Sequence, residues 1–369
     1  MQQVLFNELA SVPVTEGIKY AGSKLKLLPL ILQMIESVNP KTILDGFSGT
    51  TRVSQALAYS GYEVVCNDIA VWSKVFANCY LLNRHQQRHY SELIGHLNSI
   101  EGCDGWFTEN YGANTNFVFD KRPWQLHNTR KLDGIREEID HLNLDETERS
   151  VAITSLILAL DEVDSTMGHF ASYLREWSPR SYKYMKLKVP RINANNANHS
   201  VHQEDIFDIL ENTEVDLAYF DPPYGSNNEK MPPSRVRYAA YYHIWTTICL
   251  NDKPNIFGKA KRRIDSSDTV SSSIFEEFRR GESGRFIVVE AIEKLLIKTT
   301  AKYILLSYSS GGRATAEELN GAISKVGKLV DVMEMDYKRN VMADMRWTNE
   351  WIRDAEKPNR EFLFLIEKN

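Results

Sequence analysis

The sequence lacks the long, uninterrupted apolar segment that a membrane-spanning helix requires. Its longest apolar stretch, Val151 to Leu160, is interrupted by Thr154 and Ser155 and is followed by two acidic residues. A bilayer crossing needs about 20 mostly apolar residues, so this stretch predicts a buried helix instead. The N-terminus shows no basic segment followed by an apolar run and a small-residue cleavage site. We therefore expect a cytoplasmic location and no membrane partner.

Cysteine is scarce, and metal-ligand patterns are absent from the sequence. The 369-residue chain has four cysteines, and none of them has the short paired spacing that holds zinc. The nine histidines form no HExxH or similar ligand pattern. We expect no metal site, no oxidising compartment, and cysteines that serve in packing.

Positive charge is low overall but concentrated in two segments. The formal net charge of −5 is at first sight unfavourable for nucleic-acid binding, because phosphates are neutralised by clustered Lys and Arg. Segment 173–202 has one acid, Glu176, against the basic residues Arg175, Arg180, Lys183, Lys186, Lys188 and Arg191. Segment 252–263 has Asp252 against Lys253, Lys259, Lys261, Arg262 and Arg263. Both segments indicate nucleic-acid contacts, although two solvated loops would produce the same pattern.

The order of the predicted elements favours an α/β fold. Short apolar runs that end in polar or glycine-containing turns predict buried parallel strands at 42–44, 63–66, 215–220, 303–307 and 362–366. Helical periodicity predicts helices at 24–38, 51–59, 150–160 and 288–298. Strands that alternate with helices favour a doubly wound, mostly parallel sheet with a ligand at the carboxyl ends of its strands. Strand signals fade between residues 85 and 200, which predicts a partly helical insertion.

Three short segments suit the binding of a polar ligand. Asp45-Gly46-Phe47-Ser48-Gly49 lies between a predicted strand and a helix, where glycines allow a tight turn and the helix N-terminus offers free N–H groups. Asp68 ends the next strand about 20 residues later, the spacing expected for a carboxylate that binds ribose hydroxyls. Lys19-Tyr20-Ala21-Gly22-Ser23-Lys24 precedes a helix. The competing explanations are an ordinary turn, a helix cap at Asp68, and an N-cap at Ser23 with surface lysines.

The segment Asp221-Pro222-Pro223-Tyr224 follows an apolar strand and is more specific. Its two prolines fix the backbone and lack N–H groups, so the turn offers only acceptors beside a carboxylate. An exocyclic amine can donate one N–H to the Asp221 carboxylate and one to the Pro222 carbonyl, which directs its lone pair toward an electrophile. Tyr224 would stack on the extruded base, a contact worth about 1 to 3 kcal/mol. A rigid turn without a chemical role is the competing explanation.

Five segments, taken in chain order, resemble the Dam-type (α-group) adenine-N6 DNA methyltransferases of bacteria and phages. They are Lys19-Tyr20-Ala21-Gly22-Ser23-Lys24, Asp45-Gly46-Phe47-Ser48-Gly49, Asn67-Asp68, Asp205-Ile206-Phe207 and Asp221-Pro222-Pro223-Tyr224. Tyr308, in a late strand, extends the resemblance. The resemblance implies a Rossmann-like methyltransferase catalytic domain at residues 1–84 and 201–369, with an inserted target-recognition region at residues 85–200. It implies methyl transfer from S-adenosylmethionine to an adenine flipped out of double-stranded DNA. A restriction-modification or phage context, with a cognate restriction endonuclease encoded nearby, would fit.

The resemblance also implies roles for individual residues. The implied cofactor-binding residues are Lys19, Tyr20, Gly22, Asp45, Phe47, Gly49, Asp68 and Asp205. Among them, Asp45 would hold the methionine amino group and Asp68 the ribose hydroxyls. The implied catalytic residues are Asp221, Pro222, Pro223 and Tyr224. Candidate DNA-binding residues are Arg175, Arg180, Lys183, Arg191 and Asn195, because Arg favours guanine edges and Asn favours adenine edges.

One position departs from the family pattern, and three competing functions remain open. Thr51 stands where the family commonly has a second glycine of the cofactor loop. Either Thr51 caps the following helix, or the loop is tighter and the cofactor affinity lower. Cytosine-N4 methylation uses the same geometry, but those enzymes resemble the pattern with Ser in place of Asp221. Methylation of RNA or of free nucleotides also remains open. A non-catalytic subunit that binds DNA or the cofactor is the third possibility, and an intact Asp-Pro-Pro-Tyr segment argues against it.

Overall fold

The fold is organised around one seven-stranded sheet. The computed structural model describes residues 12–114, 122–194, 196–224, 237–267, 273–336 and 360–369. The strands of the sheet are β1 (Thr42–Asp45), β2 (Glu63–Asn67), β3 (Ser200–His202), β4 (Leu217–Phe220), β5 (Tyr303–Ser309), β6 (Gly327–Asp336) and β7 (Arg360–Lys368). Their order in space is β6-β7-β5-β4-β1-β2-β3. Strands β1 to β5 run parallel to one another, and β7 lies antiparallel between β5 and β6.

Helices flank this sheet and fill the region between β2 and β3. The α-helices of the described ranges are α1 (Leu28–Glu36), α2 (Arg52–Tyr59), α3 (Val71–Leu81), α4 (Ser91–Ser99), α5 (Trp106–Tyr111), α6 (Leu126–His141), α7 (Glu146–Val163), α8 (Ile206–Ile209), α9 (Tyr238–Tyr241), α10 (His243–Leu250), α11 (Ile287–Lys298) and α12 (Ala316–Val326). Short 3-10 helices cover Lys24–Lys26, Gln87–Tyr90, Pro179–Tyr182, Ile264–Ser266 and Ile274–Glu276. Two-residue strands pair Gly112–Ala113 with Trp124–Gln125 and Ile256–Phe257 with Arg262–Arg263. Within the described ranges, no helix combines the length and apolar content that a membrane crossing demands.

Alternate residues of the central strands belong to two separate apolar cores, one on each face of the sheet. Leu44 and Phe220 pack with residues of α8, α11 and α12. Ile43 and Tyr219 pack with residues of α1, α2 and α3. Because side chains alternate along a strand, a strand that is apolar at every position must be covered on both faces. This arrangement confirms the predicted doubly wound α/β class.

The five predicted strands are all present, but two strands of the sheet have no clear sequence signal. Strand β3 has only three residues, all partly exposed, and lies at one edge of the sheet. Strand β6 forms the opposite edge, with Leu329, Val330 and Val332 exposed. An edge strand needs no continuous apolar run, because its side chains are only partly covered by neighbouring elements. Hydrophobic patterning therefore misses both edges.

Local chemistry explains where two helices differ from their predicted limits. The predicted helix at 24–38 is divided into the 3-10 turn Lys24–Lys26 and α1, which has proline in its first turn. Proline lacks an N–H and is tolerated there but not inside a helix. Helix α7 begins at Glu146 rather than at residue 150, because Asp145 and Glu148 form a reciprocal capping box.

The helices between β2 and β3 do not have a core of their own. Buried residues from α3 to α7 form one apolar cluster with Tyr242, Ile244 and Trp245 around α10, which follows the Asp221 turn in sequence. Three of the cysteines are buried, as expected for packing residues, but Cys103 is exposed, so that expectation is wrong for Cys103. The shared core connects the helical region directly to the elements that surround the candidate site.

Candidate active site

The carboxyl ends of β1, β2 and β4 open into one cavity of about 300 Å³. Parallel strands present these ends at the same edge of the sheet, and the chain crosses over between β1 and β4. The cavity is lined by every residue predicted to bind cofactor or to act in catalysis except Lys19, namely Tyr20, Gly22, Asp45, Phe47, Gly49, Asp68, Asp205, Asp221, Pro222, Pro223 and Tyr224. Residues from distant parts of the sequence are thereby brought together.

Asp45, at the end of β1, is a fully buried carboxylate with one unsatisfied oxygen. Its Oδ2 accepts a hydrogen bond of 2.6 Å from Ser54 Oγ, whereas Oδ1 has no hydrogen-bond partner among the residues that the structure describes. Burial raises the pKa of Asp45 to about 7, against the hydrogen bond from Ser54 and with a further increase from the charge of Asp221. A buried acceptor without a partner is costly. A cationic N–H donor in the cavity would satisfy it.

The loop after Asp45 packs closely against neighbouring residues at its two glycines. A Cβ at Gly46 would lie 2.8 Å from side-chain atoms of Ile206 and Phe220, so a larger residue there would have to displace them. Gly49 has a φ of +48° and donates its N–H to Asp68 Oδ2 at 2.8 Å. Thr51 has a φ of +61°, in the left-handed region that favours glycine. Thr51 occupies the N-cap position of α2, but its side chain makes no capping hydrogen bond.

Asp68 and Asp205 both line the cavity. Asp68 is half-buried and accepts backbone N–H groups from Gly49 and Ala70, each at 2.8 Å. Burial raises the pKa of Asp68, and these backbone hydrogen bonds oppose the increase. Asp205 is exposed and caps α8 by accepting the Phe207 N–H at 2.8 Å. Both carboxylates therefore combine a structural hydrogen bond with a position on the cavity wall.

Tyr20 belongs to an aromatic stack that closes one wall of the cavity. Its ring is stacked on Tyr242 at 4.8 Å and on Tyr238 at 5.3 Å between ring centroids. Trp72 is tilted against it at 5.7 Å. A Cβ at Gly49 would come within 3.2 Å of the Tyr20 hydroxyl oxygen, so the stack and the glycine loop are in direct contact. Sequence reasoning singled out Tyr20 but missed Tyr238 and Trp72, which also line the cavity.

Lys19 lies outside the cavity wall. Its Nζ lies 2.8 Å from Asp164 Oδ1 and also donates to the Asp161 carbonyl oxygen. Asp164 is almost fully buried at the end of α7, and Arg180 lies 2.7 Å from the same Asp164 oxygen. Lys19 and Arg180 are therefore held as a pair by one buried carboxylate.

The Asp221 turn is connected to both ends of the chain through one buried ammonium. Lys24 is 6% exposed, and its Nζ lies 3.1 Å from Asp221 Oδ1 and 3.2 Å from Glu361 Oε2. The same nitrogen lies 2.5 Å from the Tyr224 hydroxyl oxygen. Burial raises the pKa of Asp221 to about 6; the Lys24 charge opposes this change and Glu361 adds to it. Burial alone would lower the pKa of Lys24, but the charges of Asp221 and Glu361 outweigh that effect and raise it.

Sequence reasoning named Lys24 only as part of a turn and missed Glu361. Glu361 is 337 residues from Lys24 in sequence and lies in a strand that was predicted only from its apolar residues. A single acidic residue beside an apolar run is the ordinary pattern of a strand end, so no local signal distinguishes it.

None of the candidate DNA-binding residues that the structure describes lines the cavity. Arg175, Lys183 and Arg191 are exposed, and Arg180 is half-buried against Asp164. Asn195 lies outside the described residues. Between Arg180 and Arg191 the chain also exposes two aromatic side chains, Tyr182 at 54% and Tyr184 at 80%. Exposed aromatic rings among lysines form a surface that the charge count alone did not predict.

The second basic segment is partly structural. Arg263 is only 5% exposed, makes a bidentate contact of 2.7 Å with Asp252, and also bonds to Asp265 at 2.8 Å. Lys253 pairs with Glu137 at 2.8 Å. These cations are neutralised within the protein, so the local charge of this segment overstates the charge that it offers to a ligand.

Comparison with known proteins gives a family match over most of the chain. The family model described as "D12 class N6 adenine-specific DNA methyltransferase" matches residues 20–277. The chain is 26% identical over 342 residues to modification methylase StsI of Streptococcus sanguinis, covering 87% of this chain and 48% of that protein. It is 24% identical over 333 residues to type II methyltransferase M.NlaIII of Neisseria lactamica, covering 87% of this chain and 91% of that protein.

A third relative is also longer than this chain. Type II methyltransferase M.FokI of Planomicrobium okeanokoites is 25% identical over 370 residues, which cover 95% of this chain and 53% of that protein. The chain thus spans about half the length of the StsI and FokI proteins and nearly the whole length of the NlaIII protein.

Proposed function

Because this chain belongs to the D12 class N6 adenine-specific DNA methyltransferase family, we propose that it transfers a methyl group from S-adenosylmethionine to N6 of an adenine in double-stranded DNA. One observation carries the proposal: Asp45 Oδ1, a buried acceptor with no hydrogen-bond partner in the described part of the chain, lines the same cavity as the acceptor-only turn Asp221-Pro222-Pro223-Tyr224. One acceptor suits the ammonium of the methyl donor, and the other suits the exocyclic amine of the target base.

The residues present fit S-adenosylmethionine, which supplies the reactive methyl group when bound. Asp45 would accept its ammonium, and Asp68 would accept a ribose hydroxyl with the lone pairs that its backbone hydrogen bonds leave free. Phe47 packs edge-on against Phe275 at 5.1 Å between centroids, which supports an apolar wall for the adenine ring. Tyr20, Gly22, Gly49 and Asp205 complete the proposed binding set. The contacts of Lys19 favour a supporting role at the rim instead.

The proposed catalytic residues act by positioning the amine. The Asp221 carboxylate and the Pro222 carbonyl accept the two N–H groups of N6, and the Tyr224 ring stacks on the base. With S-adenosylmethionine bound, the N6–carbon bond would form as the carbon–sulfur bond breaks and the electron pair stays on sulfur. The proton released from N6 would pass along its hydrogen bond to the Asp221 carboxylate and from there to water. Orientation of this kind accounts for most of the acceleration in our proposal, without a covalent intermediate.

The region between β2 and β3 is our candidate for target recognition, covering residues 85–200. Tyr182 and Tyr184 supply exposed rings, and Lys183 and Lys186 supply exposed cations in the same segment, whereas Lys188 pairs with Glu162 at 2.7 Å. Cations neutralise phosphates, whereas exposed rings stack on bases that have left the duplex. Arg175, Arg180 and Arg191, with Asn195 outside the described residues, remain candidate contacts to the DNA.

We further propose that the chain belongs to the Dam-type α-group within its family. The order of its segments supports this assignment, because the Asp45 loop comes first, the helical region follows, and the Asp221 turn comes last. The names of its relatives describe modification methylases and type II methyltransferases. A restriction-modification role, with a cognate endonuclease as partner, is the context that these names support.

The proposal is tested by incubating the purified chain with labelled S-adenosylmethionine and unmethylated genomic DNA, followed by digestion and identification of the modified base. We expect N6-methyladenine, which is absent when Asp221 is replaced by Ala. Label on N4 of cytosine, or label transferred to RNA and not to DNA, would contradict the proposal.

A further inference from the structure

Glu361 is a buried carboxylate beside the proposed catalytic turn that lies outside the segment matched by the family model. It is the second residue of β7, and its side chain is 14% exposed. Its Oε2 lies 3.2 Å from Lys24 Nζ and 3.4 Å from the Tyr224 hydroxyl oxygen. Removing a carboxylate from water is costly in free energy, so a buried carboxylate needs such partners.

Lys24, Asp221, Tyr224 and Glu361 form a compact polar group, which we call the Lys24 cluster. One ammonium is shared by two carboxylates, at 3.1 Å from Asp221 and 3.2 Å from Glu361. The cluster therefore carries one net negative charge when all its ionisable groups except the tyrosine are ionised.

The sheet topology places Glu361 there. Strand β7 runs antiparallel to β5, with Glu361 opposite Ser309 and Phe362 opposite Tyr308. Tyr308 packs edge-on against the Tyr224 ring at 5.0 Å between centroids. The Tyr224 carbonyl accepts the Arg313 N–H at 3.0 Å, which holds the backbone of the turn. Strand β5 and the loop after it thus fix the ring and backbone of Tyr224, and β7 reaches its hydroxyl.

We propose that Glu361 is a positioning residue for the methyl transfer, because it shares the Lys24 ammonium with Asp221 and so keeps an Asp221 oxygen available to the N6 amine. The inference rests on the proposed function. Without Glu361, Lys24 would pair with Asp221 alone and compete with the amine for that carboxylate. With Glu361, the ammonium is held between two acceptors and the Tyr224 hydroxyl is bound in place.

The charges around Asp221 give this role a signature in the pH profile. Asp221 is influenced by burial, by Lys24 from the N-terminal turn, by Glu361 from β7, and by its neighbour Tyr224. The charge of Asp221 in turn acts on Asp45 from β1, Tyr219 from β4, and Tyr20 and Tyr238 from the aromatic stack. The negative charge of Glu361 raises the pKa of Asp221, so neutralising Glu361 lowers that pKa. A group that served only in packing would leave the pKa unchanged.

The test measures single-turnover methyl transfer to DNA between pH 5 and pH 8 for the wild type, Glu361→Gln and Glu361→Asp. We expect Glu361→Gln to slow the transfer about 10- to 100-fold at saturating DNA and saturating S-adenosylmethionine, as for loss of a buried charged hydrogen bond. Its acid limb moves to lower pH, and the KM for DNA changes little. Glu361→Asp, which keeps the charge but shortens the reach, recovers part of the rate and keeps the acid limb of the wild type.

Glu367→Gln is the matched control, because Glu367 lies on the same strand, is 40% exposed and pairs with Lys302 at 3.5 Å. We expect this variant to match the wild type in rate and pH profile. Thermal melting and S-adenosylmethionine binding by calorimetry establish that each variant is folded; if Glu361→Gln does not fold, Glu361→Asp decides by its rate. A folded Glu361 variant with the rate and acid limb of the wild type overturns the inference. A wild type that gives no N6-methyladenine contradicts the proposed function instead.

Discussion

Asp45 and Asp221 follow neighbouring parallel strands, and their carboxylates influence each other across the proposed site. Burial raises the pKa of Asp45 to about 7, and the charge of Asp221 contributes to that increase. Two buried carboxylates whose charges repel each other are unfavourable in the ligand-free protein. The arrangement is explained if one accepts a cationic ligand and the other an amine.

The affinity for S-adenosylmethionine should fall as the pH is lowered. Binding of the ammonium requires ionised Asp45, and a pKa of about 7 leaves half of the molecules ionised at pH 7. About one-tenth are ionised at pH 6, so we expect the Kd to be about fivefold higher at pH 6 than at pH 7. Calorimetry at both pH values measures this, and Asp45→Asn should bind weakly with a flat pH-dependence. Equal Kd values for the wild type would show that Asp45 does not bind the ammonium.

Replacing Asp45 should also change the stability of the ligand-free protein. An unfolded Asp has a pKa of about 3.9, so between about pH 4 and pH 7 the folded state binds an extra proton at Asp45. The contribution of Asp45 to the free energy of unfolding therefore decreases as the pH rises through this window. Asn cannot titrate, so urea unfolding should find Asp45→Asn gaining stability relative to the wild type between pH 5 and pH 7.5. The exposed Asp208→Asn serves as the control; an identical pH-dependence of Asp45→Asn and the wild type would refute this prediction.

Asp221→Ala should separate catalysis from cofactor binding. Removing the carboxylate deletes an acceptor for N6 in the transition state, and we expect methyl transfer to fall about 100-fold or more. The ammonium and ribose contacts involve other residues, so the Kd for S-adenosylmethionine should change little. Quenched single-turnover assays and calorimetry provide the two measurements. Retention of a near-normal rate would exclude the Asp221 turn from the chemistry.

Thr51 should be a position where glycine is more stable than alanine. Its left-handed φ of +61° is unfavourable for a residue with a Cβ, by about 1 kcal/mol or more. Thr51→Gly relieves this strain, whereas Thr51→Ala does not, and both lose the hydrogen bond that Thr51 Oγ1 accepts from Gln55 at 3.0 Å. We expect the glycine variant to exceed the alanine variant by about 1 kcal/mol in free energy of unfolding. Urea titrations of the two variants measure the difference, and the opposite order would argue against strain at this residue.

The exposed segment around Tyr184 should contribute to DNA affinity without affecting the cofactor. We expect Tyr184→Ala to weaken binding to a duplex with an extruded base by about 1 to 3 kcal/mol. Lys183→Gln should reduce the slope of log K against log salt by about 1. Fluorescence anisotropy at several salt concentrations measures both effects. Lys328→Gln, an exposed lysine on the edge strand β6, is the control, and variants that bind as it does would place the DNA elsewhere.

Much of the proposed site could be predicted from the sequence, because its main parts are local. An apolar strand followed by a polar turn determines both where the strand ends and which side chains stand there. Asp45, Asp68 and Asp221 all fall at such ends, and parallel strands bring their ends to one edge of the sheet. Local patterning therefore predicted the α/β class and the acids at the strand ends, whereas Tyr238 and Trp72 of the cavity wall were missed.

The remaining features depend on contacts between distant parts of the chain. The edge strands β3 and β6, the pairing of Lys19 with Asp164 and the internal neutralisation of Arg263 leave no periodic signal, because each depends on a partner that hydrophobic spacing does not reveal. Glu361 is the clearest case. The sequence by itself determined the acceptor turn at Asp221, but only the antiparallel insertion of β7 beside β5 decided that a carboxylate 337 residues from Lys24 would share its ammonium.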